Sequence, residues 1–376
     1  MKYRKFKSYY ILFVSVFLIL SIFISQLTAQ NQINPQEEKY VLRTFIINEN
    51  VIEEIIVPGP PERPTGFYQA TAVLPQPNIT AGVNVLSNVP AYNWSFGCTA
   101  TSAAMIAGYY DRTSYPNMYT GPTNGGVMPI NNSSWPDWYD GTAWRHQCPL
   151  SATRIDLDGR IIKGHVDDYW ISYESSGPDP WDGNWTEHQY GDCTGDYMKT
   201  NQWFSSKGFN TDGSTVYYSY TDGSPISDTD LEGFGLHIYD GPYGNKLFYE
   251  SRGYNVTQMF TQRIQGQGTN LALGYTYDQY MAEIDAGRPV MIHVVGHTMV
   301  GMGYDNSTSD LMYIHDTWDY NTYTMIWGST YSGMQHIAVS IVTLAPAADM
   351  CTNGSIIYNS ETGKFNFCED GIWVEK

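Results

Sequence analysis

Small and apolar residues recur at helical spacing through CTATSAAMIAGYYDR, with no Gly or Pro before Gly108, which predicts a helix beginning at Cys98. A second helix is marked at both ends. Thr276 followed by Gln279 forms a capping box, YDQYMAEIDA supplies the body, and Gly287 with Pro289 stops it. Downstream the period shortens. VMIHVV, HTMVGMGYD, LMYIHD, YTMIW and HIAVSIVTL are β-rich runs separated by turn residues, and they predict an antiparallel sheet. Between Thr113 and Gly274 long periodic runs are few, and Gly, Asp, Asn, Tyr and Trp abound; this stretch reads as loops and short strands with one helix near GDYMKTNQWFSS.

The two ends differ from this middle. Residues 1–30 join a Lys/Arg-rich start to an apolar stretch and a small-residue end at Thr28-Ala29, as in a secretory signal, with an uncleaved N-terminal anchor as the alternative. No later stretch is apolar enough to span a membrane. Residues 31–82 combine the β-like EKYVLRTFIINENVIEEIIV with the Pro/Gly run PGPPERPTG, and read as a propeptide or linker. Residues 83–345 are expected to form the globular domain. In residues 346–376 the runs SIIYN and KFNFC, joined by SETG, predict a small disulfide-closed β-hairpin module.

Charge narrows the class of partner. With 38 acidic against 20 basic residues the chain carries a formal charge of −18, which disfavours nucleic acid and suits a soluble exported protein. Destinations consistent with export are the periplasm, the cell surface and the medium.

Five cysteines in a chain bound for an oxidising compartment suggest two disulfides and one thiol. Cys351 and Cys368 bracket the tail, Cys148 and Cys193 share a Gly/Trp/Asp-rich region, and Cys98 is left over. At a helix start Cys98 has the environment a nucleophilic thiol needs, because first-turn N–H groups and the helix dipole favour thiolate. A buried structural cysteine packed on Ala100, Ala103 and Ala104 is the bland alternative. Gly97 before it suggests close approach of backbone or substrate.

A base is found in VVGHTMVGMGYDNSTSDLMYIHD. If Tyr304 pairs across the DNSTSD turn with Ser309 to Leu311, His297 falls opposite Asp316 to Trp318, which brings a carboxylate beside the imidazole. Two other groupings carry less. IDLDGRIIKGHVDDYW gathers Asp156, Asp158, His165, Asp167 and Asp168, a source of oxygen ligands for calcium without a full EF-hand pattern, or a surface acidic loop. Trp170, Trp181, Trp185 and Trp203 suit an aromatic binding cleft or plain packing.

VPAYNWSFGCTATSAAMIAGYYDR, followed by IDAGRPVMIHVVGHTMVGMGYD and YIHDTW, resembles the papain-like cysteine peptidases of the C39-like group over residues 88–112 and 276–343. The resemblance implies an α+β, papain-like fold whose helical half carries the nucleophile and packs on an antiparallel sheet. It also implies Cys98 as nucleophile, His297 as base and Asp316 as orienting residue. Where many relatives place a Gln six residues before the nucleophile, this chain has Tyr92 with Asn93 adjacent. Those two are the oxyanion candidates, alongside the Cys98 N–H. Ala100 also replaces a Pro that many relatives carry. The implied chemistry is peptide hydrolysis through a thioester, with no metal or organic cofactor. A noncatalytic adhesin or binding domain on the same fold, and an acyl-enzyme transferase, are the alternative readings.

Overall fold

The computed structural model describes residues 35–75, 82–152, 172–173, 193–200, 212–266, 271–307, 309–346, 356–359, 363–369 and 372–375. The signal-like segment, the acidic run proposed for calcium and the four tryptophans above lie outside these residues. The chain divides into two units, Met1–Lys39 and Tyr40–Lys376. The described part of the first includes the short helix Pro35–Glu38.

The second unit opens with β1 (Val41–Ile47), β2 (Asn50–Val57), β3 (Val83–Val85) and helix α1 (Cys98–Thr113). There follow β4 (Trp138–Tyr139), β5 (Trp144–Arg145), helix α2 (Thr194–Met198), β6 (Thr215–Tyr220) and β7 (Ile226–Ser227). Helices α3 (Asp228–Gly233) and α4 (Gly241–Ser251) lead into β8 (Val256–Arg263) and α5 (Tyr277–Asp285). Then come β9 (Val290–Val294), β10 (His297–Asp305), β11 (Leu311–His315), β12 (Tyr323–Ile326), β13 (Thr330–Tyr331) and β14 (Met334–Leu344). A tail of β15 (Ile356–Asn359), β16 (Lys364–Glu369) and β17 (Ile372–Glu375) ends the chain.

The architecture is α+β. The main sheet runs β12-β11-β10-β9-β14-β8-β7, with β3 added beside β10 and β13 beside β14, and its pairs are antiparallel. A smaller antiparallel sheet has the order β1-β2-β6. Alternation of side chains along β9 and β10 explains the continuous apolar run in VMIHVV. Met291 and Val300 pack with Ala103, Ala104 and Ala107 of α1, whereas Ile292, Val294 and Met299 pack with Tyr280 and Ile284 of α5. A strand buried on both faces has no position where a polar residue would be cheaper.

The helices expected at Cys98 and after Thr276 both form, and the one expected near GDYMKTNQWFSS is the short α2. α1 starts at Cys98, and α5 carries the capping box, with the Thr276 and Gln279 side chains each meeting the other's backbone N–H. α4, GPYGNKLFYES, escaped the sequence pattern because Gly241, Pro242 and Gly244 at its start read as loop residues. Asp240 makes it by accepting from the Tyr243 N–H at 2.7 Å, with Pro242 in the first turn.

The tail differs from expectation in having three strands. IWVE supplies the third, and its pairing with β16 gives a two-strand ribbon the extra partner that a lone hairpin lacks. The proposed Cys351–Cys368 bond involves groups outside the described residues. No disulfide joins Cys148 to Cys193; both are buried thiols, and backbone bonds rather than a covalent link fasten their segments, Thr194 N–H to Leu150 O at 2.9 Å and Gly195 N–H to Ser151 O at 2.8 Å.

One close approach fixes β3 on the sheet. A Cβ at Gly303 would lie 2.8 Å from Asn84 O and 2.9 Å from Val85 Cα, backbone atoms that cannot swing aside. Gly303→Ala should therefore cost about 1–3 kcal/mol in urea denaturation, and an unchanged midpoint and slope would contradict this packing.

Candidate active site

Two residues in the left-handed region precede the thiol: Phe96 at φ 57° and Gly97 at φ 123°. Gly97 is required by the protein itself, since a Cβ there would meet Gly213 O at 2.6 Å and Thr200 at 3.2 Å. This sharp entry starts α1 at Cys98. Thr101 ties the turn down by donating both its N–H (2.9 Å) and its hydroxyl (2.7 Å) to Gly97 O.

Cys98 faces the beginning of β10. Its Sγ accepts the Thr298 N–H at 3.2 Å, and the Thr99 hydroxyl lies 3.8 Å away. His297 is therefore the neighbour of the residue that bonds the thiol. The imidazole sits between two residues of the β11–β12 connection. Its Nε2 donates to the main-chain carbonyl of Asp316 at 2.8 Å, and the Trp318 ring stacks on its face at 4.0 Å. Thr317 between them adopts φ 68°, a costly conformation for a β-branched residue. With the Nε2 proton committed to a carbonyl, neutral His297 presents Nδ1 as an acceptor, and Nδ1 is buried without a hydrogen-bond partner. No hydrogen bond joins it to Sγ in this state.

Asp316 thus stands beside His297, but its carbonyl rather than its carboxylate meets the ring. A β-bulge between Gly301 and Gly303 brings the β10–β11 pairing to Val300 opposite His315. The carboxylate is occupied elsewhere: it accepts from the Tyr331 hydroxyl at 2.7 Å, from the Trp318 N–H at 3.1 Å and from the Arg63 guanidinium. Burial raises its pKa, while Arg63 and Tyr331 oppose that rise.

The oxyanion role expected of Tyr92 does not fit its position. Its ring lies in the core around α1, and its hydroxyl donates to Pro129 O at 3.0 Å. Asn93 is held by its backbone through both ends of the Asn132 amide, at 2.9 and 3.1 Å, and its own Oδ1 is buried without a partner.

Several residues at the site carry no sequence signal. The segment PGPPER crosses directly over the thiol: Gly59 is buried, and a Cβ on it would fall 2.6 Å from Sγ. Gly59 N–H donates to Gly296 O at 3.2 Å, Trp94 Nε1 donates to Gly59 O at 2.8 Å, and Trp318 Nε1 donates to Pro60 O at 2.9 Å. Arg63 completes the anchorage through Asp316 and lies over the Trp318 and Tyr323 rings at 5.5 and 4.6 Å. Behind the thiol runs a chain of buried hydrogen bonds. Thr99 Oγ1 meets Thr298 Oγ1 (3.0 Å), which meets His293 Nδ1 (3.1 Å); His293 Nε2 meets Ser340 Oγ (2.8 Å), which meets Thr261 Oγ1 (2.7 Å).

Cys98, His297 and Asp316 are each 0 % exposed. Desolvation therefore outweighs the helix terminus: the thiol is pushed up to about 11 despite the Thr298 and Thr99 donors, and burial brings His297 down to about 3. Burial thus favours a thiol and a neutral imidazole at neutral pH.

Residues 218–336 match the family model described as Peptidase_C39 like family. That segment is C39-like. It contains β6 through the start of β14, including His297 and Asp316, and Cys98 reaches it through the Thr298 contact. Comparisons with curated proteins and with solved structures give no match. No helix among the described residues is long and apolar enough to cross a membrane.

Two outcomes are expected. Arg63→Met leaves the Asp316 carboxylate buried without its cation and should cost about 3 kcal/mol in chemical denaturation; a loss below about 0.5 kcal/mol would contradict the pairing. In the unaltered chain the thiolate fraction at Cys98 grows about tenfold per pH unit below its pKa, so iodoacetamide labelling should keep rising steeply beyond about pH 9. A plateau reached below about pH 8 would contradict the raised thiol.

Proposed function

We propose that this is an exported cysteine peptidase of papain-like fold, in which Cys98 is the nucleophile and His297 the base, held in a latent form by its own N-terminal segment. The observation that carries the reading is the convergence of Cys98 Sγ on the first residues of β10, with a buried, unpartnered imidazole Nδ1 in the adjoining residue. Export rests on the signal-like residues 1–30 and the acidic composition.

Once the cleft opens, water returns and the ionised pair becomes affordable. His297 takes the thiol proton at Nδ1, while the Asp316 carbonyl and the Trp318 ring keep the imidazole in place. The thiolate adds to the substrate carbonyl carbon. The C–N bond then breaks, the departing amine takes the proton from the imidazolium, and a thioester remains on Cys98. A water molecule, giving its proton to His297, attacks the thioester; the carboxylic acid leaves and the thiol is restored. The Asp316 carboxylate contributes by anchoring its own turn through Tyr331 and Trp318.

Latency follows from the segment at residues 58–63. It covers the thiol, holds the pair in a dry environment and denies access to substrate. Residues 31–82 are accordingly a propeptide, whose β2 pairs with both β1 and β6 to fix the covering segment.

Gly59 is the lever. At φ 61° and with 2.6 Å of space toward Sγ, Leu at this position cannot be accommodated over the thiol. Full-length Gly59→Leu should label with iodoacetamide at neutral pH at least about tenfold faster than the unaltered chain, and gain hydrolysis of a peptide library. That activity should vanish in Gly59→Leu/Cys98→Ala. Survival of hydrolysis without Cys98 would overturn the peptidase assignment, and open chain lacking any turnover would favour the binding-domain alternative.

A further inference from the structure

The covering segment shows how a stretch of polypeptide backbone lies when it is packed against the thiol. Both backbone groups of Gly59 are held. Its N–H is bound by Gly296 O, next to His297, and its carbonyl oxygen by Trp94 Nε1. The Cβ position of that residue is 2.6 Å from Sγ and 3.1 Å from the Cys98 main-chain nitrogen. Residue 59 is thus pinned between the histidine-bearing turn and the start of α1, with its oxygen turned toward an indole.

That indole is built for a fixed direction. Trp94 is 2 % exposed and packed on Phe96 and Tyr173 at 5.8 and 6.3 Å, with the Arg145 guanidinium 5.5 Å from its ring centre. An indole N–H only donates, and it does not titrate. A donor held rigid in a water-poor site stabilises charge that develops on a carbonyl oxygen more than it stabilises the neutral carbonyl, because no reorganisation is needed as the charge appears. Tyr92 is committed to Pro129 O, leaving this role open.

We infer that Trp94, through Nε1–H, is the side-chain oxyanion donor of the site, and that Gly59 O occupies the place of the scissile carbonyl oxygen of a peptide substrate. The inference rests on Cys98 being the nucleophile. When the thiolate adds to that carbonyl, the C=O pair moves onto oxygen, where the Trp94 N–H bond shortens and strengthens. When the tetrahedral species collapses the pair returns, and the amine departs with the His297 proton.

The test uses the full-length Gly59→Leu chain with and without Trp94→Phe, which keeps a ring and removes the donor. Three readings are taken: kcat/KM on a peptide substrate, the rate of Cys98 labelling by iodoacetamide, and the affinity of a peptide aldehyde, whose thiol adduct carries an oxygen in the same place. Trp94→Phe is expected to lower kcat/KM by about 10²–10³-fold and to weaken the aldehyde, mainly through kcat, while labelling stays within about twofold. The pH profile should keep its shape, since the indole does not titrate. A kcat/KM within about threefold of the parent overturns the proposal. If Trp94→Phe labels abnormally or unfolds, benzothienylalanine at position 94, which replaces N–H by sulfur in the same shape, decides between the same two outcomes. Hydrolysis that persists in Cys98→Ala would instead remove the underlying peptidase reading, whereas a neutral Trp94 substitution leaves that reading intact.

Discussion

The seam between α1 and the main sheet is closed by three hydrogen bonds that converge on Thr298. Its N–H meets Cys98 Sγ, its carbonyl accepts from the Ser102 hydroxyl at 3.2 Å, and its hydroxyl meets that of Thr99. Cys98 and Ser102 are one turn apart on a single helix face, so the first turn of α1 is registered against the first residues of β10. Because His297 precedes Thr298, the thiol on the Thr298 amide lies one residue along the chain from the histidine, and the turn carrying Asp316 and Trp318 fixes the ring from edge and face.

The same closeness creates a conflict that the covering segment resolves in favour of rest. A thiol at a helix start is disposed to ionise, yet removing water from a charged pair costs more than one helix terminus returns. The covered site is therefore neutral and quiet. In the proposed peptidase, opening the cleft would restore the solvent that the charged pair needs. The tryptophans that hold the covering segment, Trp94 and Trp318, hold it by donating to backbone carbonyls rather than by recognising side chains. On the proposed reading, main-chain recognition of this kind would suit a cleft that releases its own segment and takes a peptide substrate.

Local pattern made part of this legible. The start of α1, the capping box of α5 and the β-rich runs of the sheet are each written in contiguous residues, so periodicity and end signals find them. Cys98 and His297 stood out for the same reason, one at a helix start and one at a strand start. The role of Asp316 was half visible: strand pairing puts it near the imidazole, but the Gly301/Gly303 bulge and the left-handed Thr317 decide that its carbonyl does the holding. What stayed hidden depends on tertiary encounters. Trp94 meets Gly59 across 35 positions, Arg63 meets Asp316 across 253, and His293 joins Thr298 and Ser340 through folding alone. A Pro/Gly run has no periodicity to announce that it will lie in a cleft. For Tyr92, spacing from the cysteine fixes a place in the chain, whereas folding buries its ring in the core around α1 with its hydroxyl on Pro129 O.

The most direct measurement is acid-quench trapping of the covalent intermediate. Full-length Gly59→Leu protein mixed rapidly with an ester or peptide substrate, quenched in acid and mapped by mass spectrometry, should carry the acyl group as a thioester on Cys98. Turnover without an adduct on Cys98, or with the acyl group on Cys148 or Cys193 instead, would contradict the account.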